Sequence, residues 1–286
     1  MSTRLRLALQ KSGRLSEASV RLIEECGIHF NHPNAKLKCD ALNFPLEILF
    51  LRDDDIPGYV HDGVADVGIV GENVVLEKGF PVETLEKLGF GRCRLAIAVP
   101  RGFQYNSIED IDGRDIATAY PALLEKHLER NEVAARIHVI SGSAELAPSI
   151  GLADAVCDLV STGSTLLSNG LKEVETILES QAVLIARPGL SEDTQLLVDQ
   201  LRFRIKSVGR ARSYKYILLN IPNESIGVVT EILPGMKSPT VMPLAIEGWS
   251  SIHSVVHEDE FWEVIDKLHD AGAQGVLVLP VEKMVL

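Results

Sequence analysis

Between Leu5 and about residue 190, short apolar runs alternate with amphipathic stretches of helical period, and this alternation limits the fold more than any other feature of the chain. RLRLALQ turns Leu5, Leu7 and Leu9 to one face, the period of a strand. RLSEASVRLIEECGI then spaces Leu15, Ala18, Leu22 and Cys26 as a helix, with Gly27 placed to stop it. LEILFL, DVGIV, RLAIAVP, DIATAYP and ARIHVI read as further strands, separated by helices or loops such as PALLEKHLERN after Pro121. Strands alternating with helices predict a mostly parallel α/β sheet, or two of them. In such sheets ligands sit beyond the carboxyl ends of the strands, so the residues that follow each apolar run are the candidates for chemistry.

The pattern changes at Ser191. SEDTQLLVDQLRFRIKSVGRAR predicts one long helix with Leu197, Leu201 and Ile205 turned inward. Strand YKYILLNI, helix ESIGVVTEIL, strands TVMPLAI and SIHSVVH, helix DEFWEVIDKLHDAG and strand GVLVLP follow, the βαββαβ order of a ferredoxin-like unit. Gly209 and a basic cluster break the apolar periodicity, which puts a domain boundary near Ser207 to Arg212. No internal repeat or low-complexity tract is present.

At 286 residues the chain can bury a substantial core. Its formal charge of −12 argues against a general nucleic-acid or anionic-membrane binder, which would need summed positive charge, but leaves room for a small anion held by a few local cations. Cys26, Cys39, Cys93 and Cys157 show no C-x-x-C spacing, and MSTRLRLALQKSGRL lacks a signal-peptide apolar core, so free thiols in a reducing cytoplasm are expected. No apolar run approaches the roughly 20 residues needed to span a bilayer.

DLVSTGST, residues 158 to 165, is the stretch where an apolar strand opens into hydroxyls. Gly163 frees the backbone while Ser161, Thr162, Ser164 and Thr165 offer hydroxyls and amides that can wrap a phosphate monoester. A hydroxyl-rich turn capping a helix uses the same residues, and both readings stay open. No Walker-type loop occurs. Asp154 and Asp158 precede the loop and suit ribose hydroxyls or a Mg²⁺ on pyrophosphate, although Asp158 also simply begins a strand on the bland reading. Lys11 and Arg14 flank Gly13 after the first strand, and Arg52 follows LEILFL in an equivalent place. Three cations at strand ends in an acidic protein predict an anion site. RDDDIP reads as a solvated turn rather than a metal site, because consecutive carboxylates cannot all point one way. Gly71 and Glu72 again follow a strand at the ligand edge, and Tyr120 either stacks on a base or closes the core. No Ser-His-Asp or Cys-His constellation is evident, and HPNAKLKC, with His29 and His32, reads as an exposed loop.

Taken with these residues, the chain resembles the ATP phosphoribosyltransferase family in its long, self-regulated form. The likeness runs from RLRLALQKSGRLSEAS through LRDDDIPGYVHDGVADVGIVGEN, GRCRLAIAVP, ATAYPALL, SGSAELAPSIGLADAVCDLVSTGSTLLSNGLKEVE and LPGMKSPTVMPLA to GAQGVLVLPVEKM, essentially the whole chain. GLADAVCDLVSTG is its most specific stretch. The resemblance implies an α/β fold with two subdomains resembling a periplasmic binding protein and a substrate cleft between them, residues 1–94 with 171–206 forming one and 95–170 the other. Residues 212–286 would be a ferredoxin-like regulatory domain, where the family's short form ends near Arg210. It further implies transfer of the phosphoribosyl group of phosphoribosyl pyrophosphate to N1 of ATP, with Mg²⁺, in the first step of histidine biosynthesis.

By the same resemblance, Asp158 to Thr165 would hold the 5-phosphate and ribose, with Asp154 beside the hydroxyls. Lys11, Arg14 and Arg52 would face pyrophosphate or triphosphate oxygens, and Glu145 and Tyr120 would line the ATP side. Histidine would act as feedback inhibitor at Ser238, Thr240 and Ala273. Asn220 stands where the family often has an acid, so the ligand's ammonium or imidazolium loses a charged partner there. A homo-oligomer, dimer to hexamer, is implied as well.

Overall fold

The computed structural model describes residues 3–31, 37–233 and 235–286; His32 lies outside the described residues, while His29 is exposed. The chain forms two compact units, Met1–Asp199 and Gln200–Leu286. In the first, the elements in chain order are β1 (Leu5–Gln10), α1 (Arg14–Glu25), β2 (Lys38–Asp40), β3 (Leu46–Leu51), α2 (Ile56–His61), β4 (Val67–Gly71), α3 (Glu72–Lys78), β5 (Glu83–Lys87), β6 (Cys93–Pro100), β7 (Asp115–Thr118), α4 (Pro121–Arg130), β8 (Arg136–Val139), β9 (Ala155–Val160), α5 (Ser164–Ser168), β10 (Leu171–Ser180) and β11 (Ala182–Ala186). Helix α6 (Glu192–Arg212) runs across the division between the units.

These strands build two sheets, ordered β2-β3-β1-β4-β11-β5 and β10-β6-β9-β7-β8. Parallel pairs form the centre of the first, β3-β1-β4, and one side of the second, β9-β7-β8. Strands covered on both faces must be apolar throughout. Accordingly Leu5, Leu7, Ala8 and Leu9 of β1, Ile69 and Val70 of β4, and all of β11 are buried. Ile97, Ile116, Leu124 and Leu128 anchor the core of the second sheet. The chain crosses from one sheet to the other twice, between β5 and β6 and again at Gln181 between β10 and β11.

This topology corrects the expected division. Strand β10 pairs with β6 along its length, so residues 171–180 belong to the second sheet and the return crossing falls at Gln181. Strands β2, β5 and β10 escaped the sequence reading because charged and polar residues interrupt their apolar runs, and β11, a short apolar run inside the first sheet, was missed as well. Helix α6 continues unbroken past Gly209, and the units divide within it.

The second unit adds β12 (Tyr214–Pro222), α7 (Ile226–Ile232), β13 (Thr240–Pro243), β14 (Trp249–His257), α8 (Glu258–Asp270) and β15 (Gln274–Pro280). Its sheet has the order β13-β14-β12-β15 with every pair antiparallel, the ferredoxin-like arrangement. Ile217, Leu219 and Ile221 pack with Val229 and Leu268 of the helices, which leaves Tyr216, Leu218 and Asn220 on the opposite face.

Candidate active site

Parallel strands end in register, and the site is built on that fact. Gln10 of β1 pairs with Leu51 of β3, so the residues that follow, Lys11 and Arg52, emerge side by side at one end of the first sheet. Both are exposed, as is Arg14 at the start of α1. None of the three forms an ion pair with another described residue, which leaves their charge available to a ligand. After Arg52 the chain makes a single 3-10 turn over Asp53–Asp55.

In the second sheet, β9 ends at Val160 and the loop Ser161–Gly163 leads into α5. Gly163 adopts φ of +77°, a left-handed conformation that a side chain would strain. The Thr162 and Ser164 hydroxyls lie 3.0 Å apart, and Ser161, Thr162, Ser164 and Thr165 are all exposed. Arg94 of β6 donates to the Ser161 carbonyl oxygen at 3.4 Å and to both Glu173 oxygens at 2.5 Å, supporting the loop from below. No sequence signal marked Arg94, which lies inside a strand.

Tyr120 joins the two sets of strand ends. It follows β7, its ring packs against the second core, and its hydroxyl accepts from Asn73 Nδ2 of α3 at 3.3 Å. Burial raises its phenol above the ordinary range, and the charges of Asp158, Asp53 and Asp54 raise it further. Tyr120 is therefore within electrostatic reach of both the hydroxyl loop's strand and the segment that carries Arg52. Asp158 is itself raised, first by burial and then by the charge of Glu145, against the opposing donation of the Leu159 amide at 2.7 Å. Glu145 stands on a 3-10 turn whose Ala144 packs with Val156 and Val160 of β9, which explains the pairing.

One expectation needs correction. Asp154 precedes β9, at the end away from the loop, and a six-residue strand spans about 20 Å. Its carboxylate accepts from the Asp115 amide at 3.1 Å, tying β9 to β7 rather than meeting sugar hydroxyls beside Ser161. The acidic run Asp53–Asp55 forms the solvated turn expected of it, a single 3-10 turn with Asp54 and Asp55 exposed. Glu72 does follow β4, but its carboxylate pairs with Lys87 of β5 at 3.0 Å. Burial pushes the Cys157 thiol up to about 12, which leaves it a neutral packing group. Among the described residues no group of three or more His, Cys, Asp or Glu side chains is arranged to hold a metal ion, and no helix is long and apolar enough to cross a membrane.

Two lobes joined by two crossings, each with candidate residues at parallel strand ends, define a two-lobed α/β protein that carries a separate ferredoxin-like unit. A family model described as ATP phosphoribosyltransferase matches residues 52–207, and one described as HisG, C-terminal domain, matches residues 211–283. The chain belongs to the ATP phosphoribosyltransferase family, enzymes of histidine biosynthesis, as its sequence motifs implied. It is similar to the ATP phosphoribosyltransferase of Cytophaga hutchinsonii, 59% identical over 285 residues and covering 100% of both chains. That of Parabacteroides distasonis is 51% identical over 282 residues, covering 99% of this chain and 100% of the relative. A solved ATP phosphoribosyl transferase (HisG:HisZ) complex from Thermotoga maritima contains a chain with 27% identity and a TM-score of 0.61, covering 71% of this chain and 98% of that one.

Proposed function

We propose that the chain transfers the phosphoribosyl group of phosphoribosyl pyrophosphate to N1 of the adenine of ATP, releasing N1-(5-phosphoribosyl)-ATP and pyrophosphate. The observation that carries this reading is the placing of Lys11 and Arg52 at adjacent strand ends of one lobe, with Tyr120 of the other lobe hydrogen-bonded to Asn73 of theirs. In this assignment Ser161 to Thr165 take the 5-phosphate and Asp158 the ribose hydroxyls. Lys11, Arg14 and Arg52 face the pyrophosphate or triphosphate oxygens, and Glu145 and Tyr120 line the ATP side.

N1 has its own lone pair, so the reaction asks for alignment and charge neutralisation rather than a strong base. As N1 bonds to the anomeric carbon and the bond to pyrophosphate breaks, negative charge grows on the leaving group. Lys11 and Arg52 stand at adjacent strand ends to receive it. The donor set fits Mg²⁺. Asp158 and Glu145 would offer hard carboxylate oxygens without a closed cage, which suits an ion held largely by substrate oxygens and water. When bound, Mg²⁺ supplies further positive charge to the leaving pyrophosphate. The test is to mix ATP, phosphoribosyl pyrophosphate and Mg²⁺ with the protein. Pyrophosphate release with the absorbance of N1-ribosylated adenine is expected, and silence from folded protein would overturn the assignment.

Histidine feedback through the second unit belongs to the same reading, as does a cytoplasmic location. Asn220 of β12 pairs in register with Gln274, next to Ala273, whereas Thr240 begins β13 just after Ser238. The strand order puts β13 and β15 on opposite edges, three spacings or about 14 Å apart. One histidine cannot bridge them within a single copy. A seam between copies of the unit would bring one edge against another, which supports a homo-oligomer, from dimer to hexamer.

A further inference from the structure

Helix α4 begins without a cap of its own. Pro121 occupies its first position and has no N–H, and Tyr120, at the N-cap, supplies no side-chain acceptor. The next two amides, Ala122 and Leu123, donate to the two carboxylate oxygens of Glu77, each at 3.0 Å. Glu77 lies on α3, which grows out of the first sheet, so one lobe caps a helix of the other with a carboxylate that the helix dipole also favours.

The same face of α3 holds Tyr120. Asn73, one turn before Glu77, donates to the Tyr120 hydroxyl and is itself pinned. The Asn73 amide donates to Ser180 Oγ at 3.0 Å, and Ser180 returns a hydrogen bond to Asn73 Oδ1 at 2.9 Å, at the very end of β10 where the chain crosses back. Tyr120 is gripped from the backbone as well. Its amide donates to Thr118 Oγ1 at 2.9 Å, and its carbonyl oxygen accepts from Leu124 at 3.1 Å once α4 is capped. The start of α4 and the ring of Tyr120 are thus set together from the opposite lobe.

We propose that Glu77 is a positioning residue for the transfer reaction, acting across the lobes through the start of α4 to place Tyr120 on the ATP side of the site. This rests on the assignment of Tyr120 to that side. A residue that only stabilised the protein would lower its melting temperature and leave the balance between the two substrates alone.

The experiment uses the full chain with Glu77→Ala, Glu77→Gln, Tyr120→Ala and the Glu77→Ala/Tyr120→Ala pair. Amide exchange across residues 120–126 reads the cap directly, and steady-state kinetics read KM for each substrate. Glu77→Ala should speed exchange in that segment and raise KM for ATP about tenfold, with KM for phosphoribosyl pyrophosphate within about twofold of the parent. Glu77→Gln keeps one acceptor oxygen but sets an NH2 donor against the other amide, and should recover only part of the loss. In the Tyr120→Ala background the Glu77 change should add less than about twofold, because both act on one element. Equal rises in both KM values, or full multiplication of the two single effects, would overturn the proposal. If the parent makes no pyrophosphate, the functional reading falls. Equilibrium titration with ATP then replaces KM, and unchanged ATP affinity or unchanged exchange in Glu77→Ala would sink the positioning role by itself.

Discussion

The amide of Lys11 donates to the carbonyl oxygen of Leu51 at 2.8 Å, extending the β1–β3 ladder by one bond and fixing Lys11 beside Arg52. Two cations with no ion-pair partner among the described residues are thereby held side by side in a protein of net charge −12. Removing either as Lys11→Ala or Arg52→Ala should lower kcat/KM at least about tenfold, roughly 1.4 kcal/mol of transition-state stabilisation. Pyrophosphate-release kinetics check this, and near-parental values in both variants would remove the pair from the site.

Asp158 couples stability to pH. Burial and the charge of Glu145 raise its folded-state carboxyl above the ordinary carboxylate range. A carboxyl raised on folding takes up protons as the chain folds, so its contribution to stability declines as pH climbs from the ordinary value through the raised one. Asp158→Asn removes that decline and can still accept from the Leu159 amide. Its melting temperature should exceed the parent's near pH 7.5, with the gap closing near about pH 4, while turnover falls. Thermal melts at both pH values decide the matter, and a gap that widens toward acid would contradict the argument.

Gly163→Ala tests the loop. An added Cβ would meet only Val160 Cγ1, at 3.9 Å, so space is not the obstacle; the φ of +77° is. The strain of about 1–2 kcal/mol should be relieved partly by shifting the loop. KM for phosphoribosyl pyrophosphate should therefore rise more than KM for ATP. Identical effects on both substrates would mean the loop does not hold the 5-phosphate.

Thr240→Arg tests regulation. Thr240 is exposed on an edge strand, so the fold can accept a long cation there. Histidine at millimolar concentration should inhibit the full chain, and the variant should keep its rate while losing that inhibition. An uninhibited parent chain would dispose of the sensor role.

Much of this molecule is written in local pattern. Strands β1, β3, β4 and β6 are legible because burial on both faces demands unbroken apolar runs, and the βαββαβ order of the second unit follows from periods of two and 3.6. The loop at Ser161–Thr165 is legible for a related reason, since its glycine and hydroxyls act within a few residues of one another. Strand β10 is not, because its charged and polar residues leave no apolar run to read.

What the chain determined by itself is therefore which segments are buried and which residues stand at their ends. Sequence nearness misled at Asp154, because a strand separates it from the loop it seemed to serve. Only the tertiary structure decided that Asn73 reaches the Tyr120 hydroxyl, that the charge of Glu145 acts on Asp158, and that Glu77 caps a helix of the other lobe. The physical reason is that periodicity encodes a buried face but not a partner. Partners follow from strand order and from the two crossings, at Gln181 and between β5 and β6, that bring the lobes together.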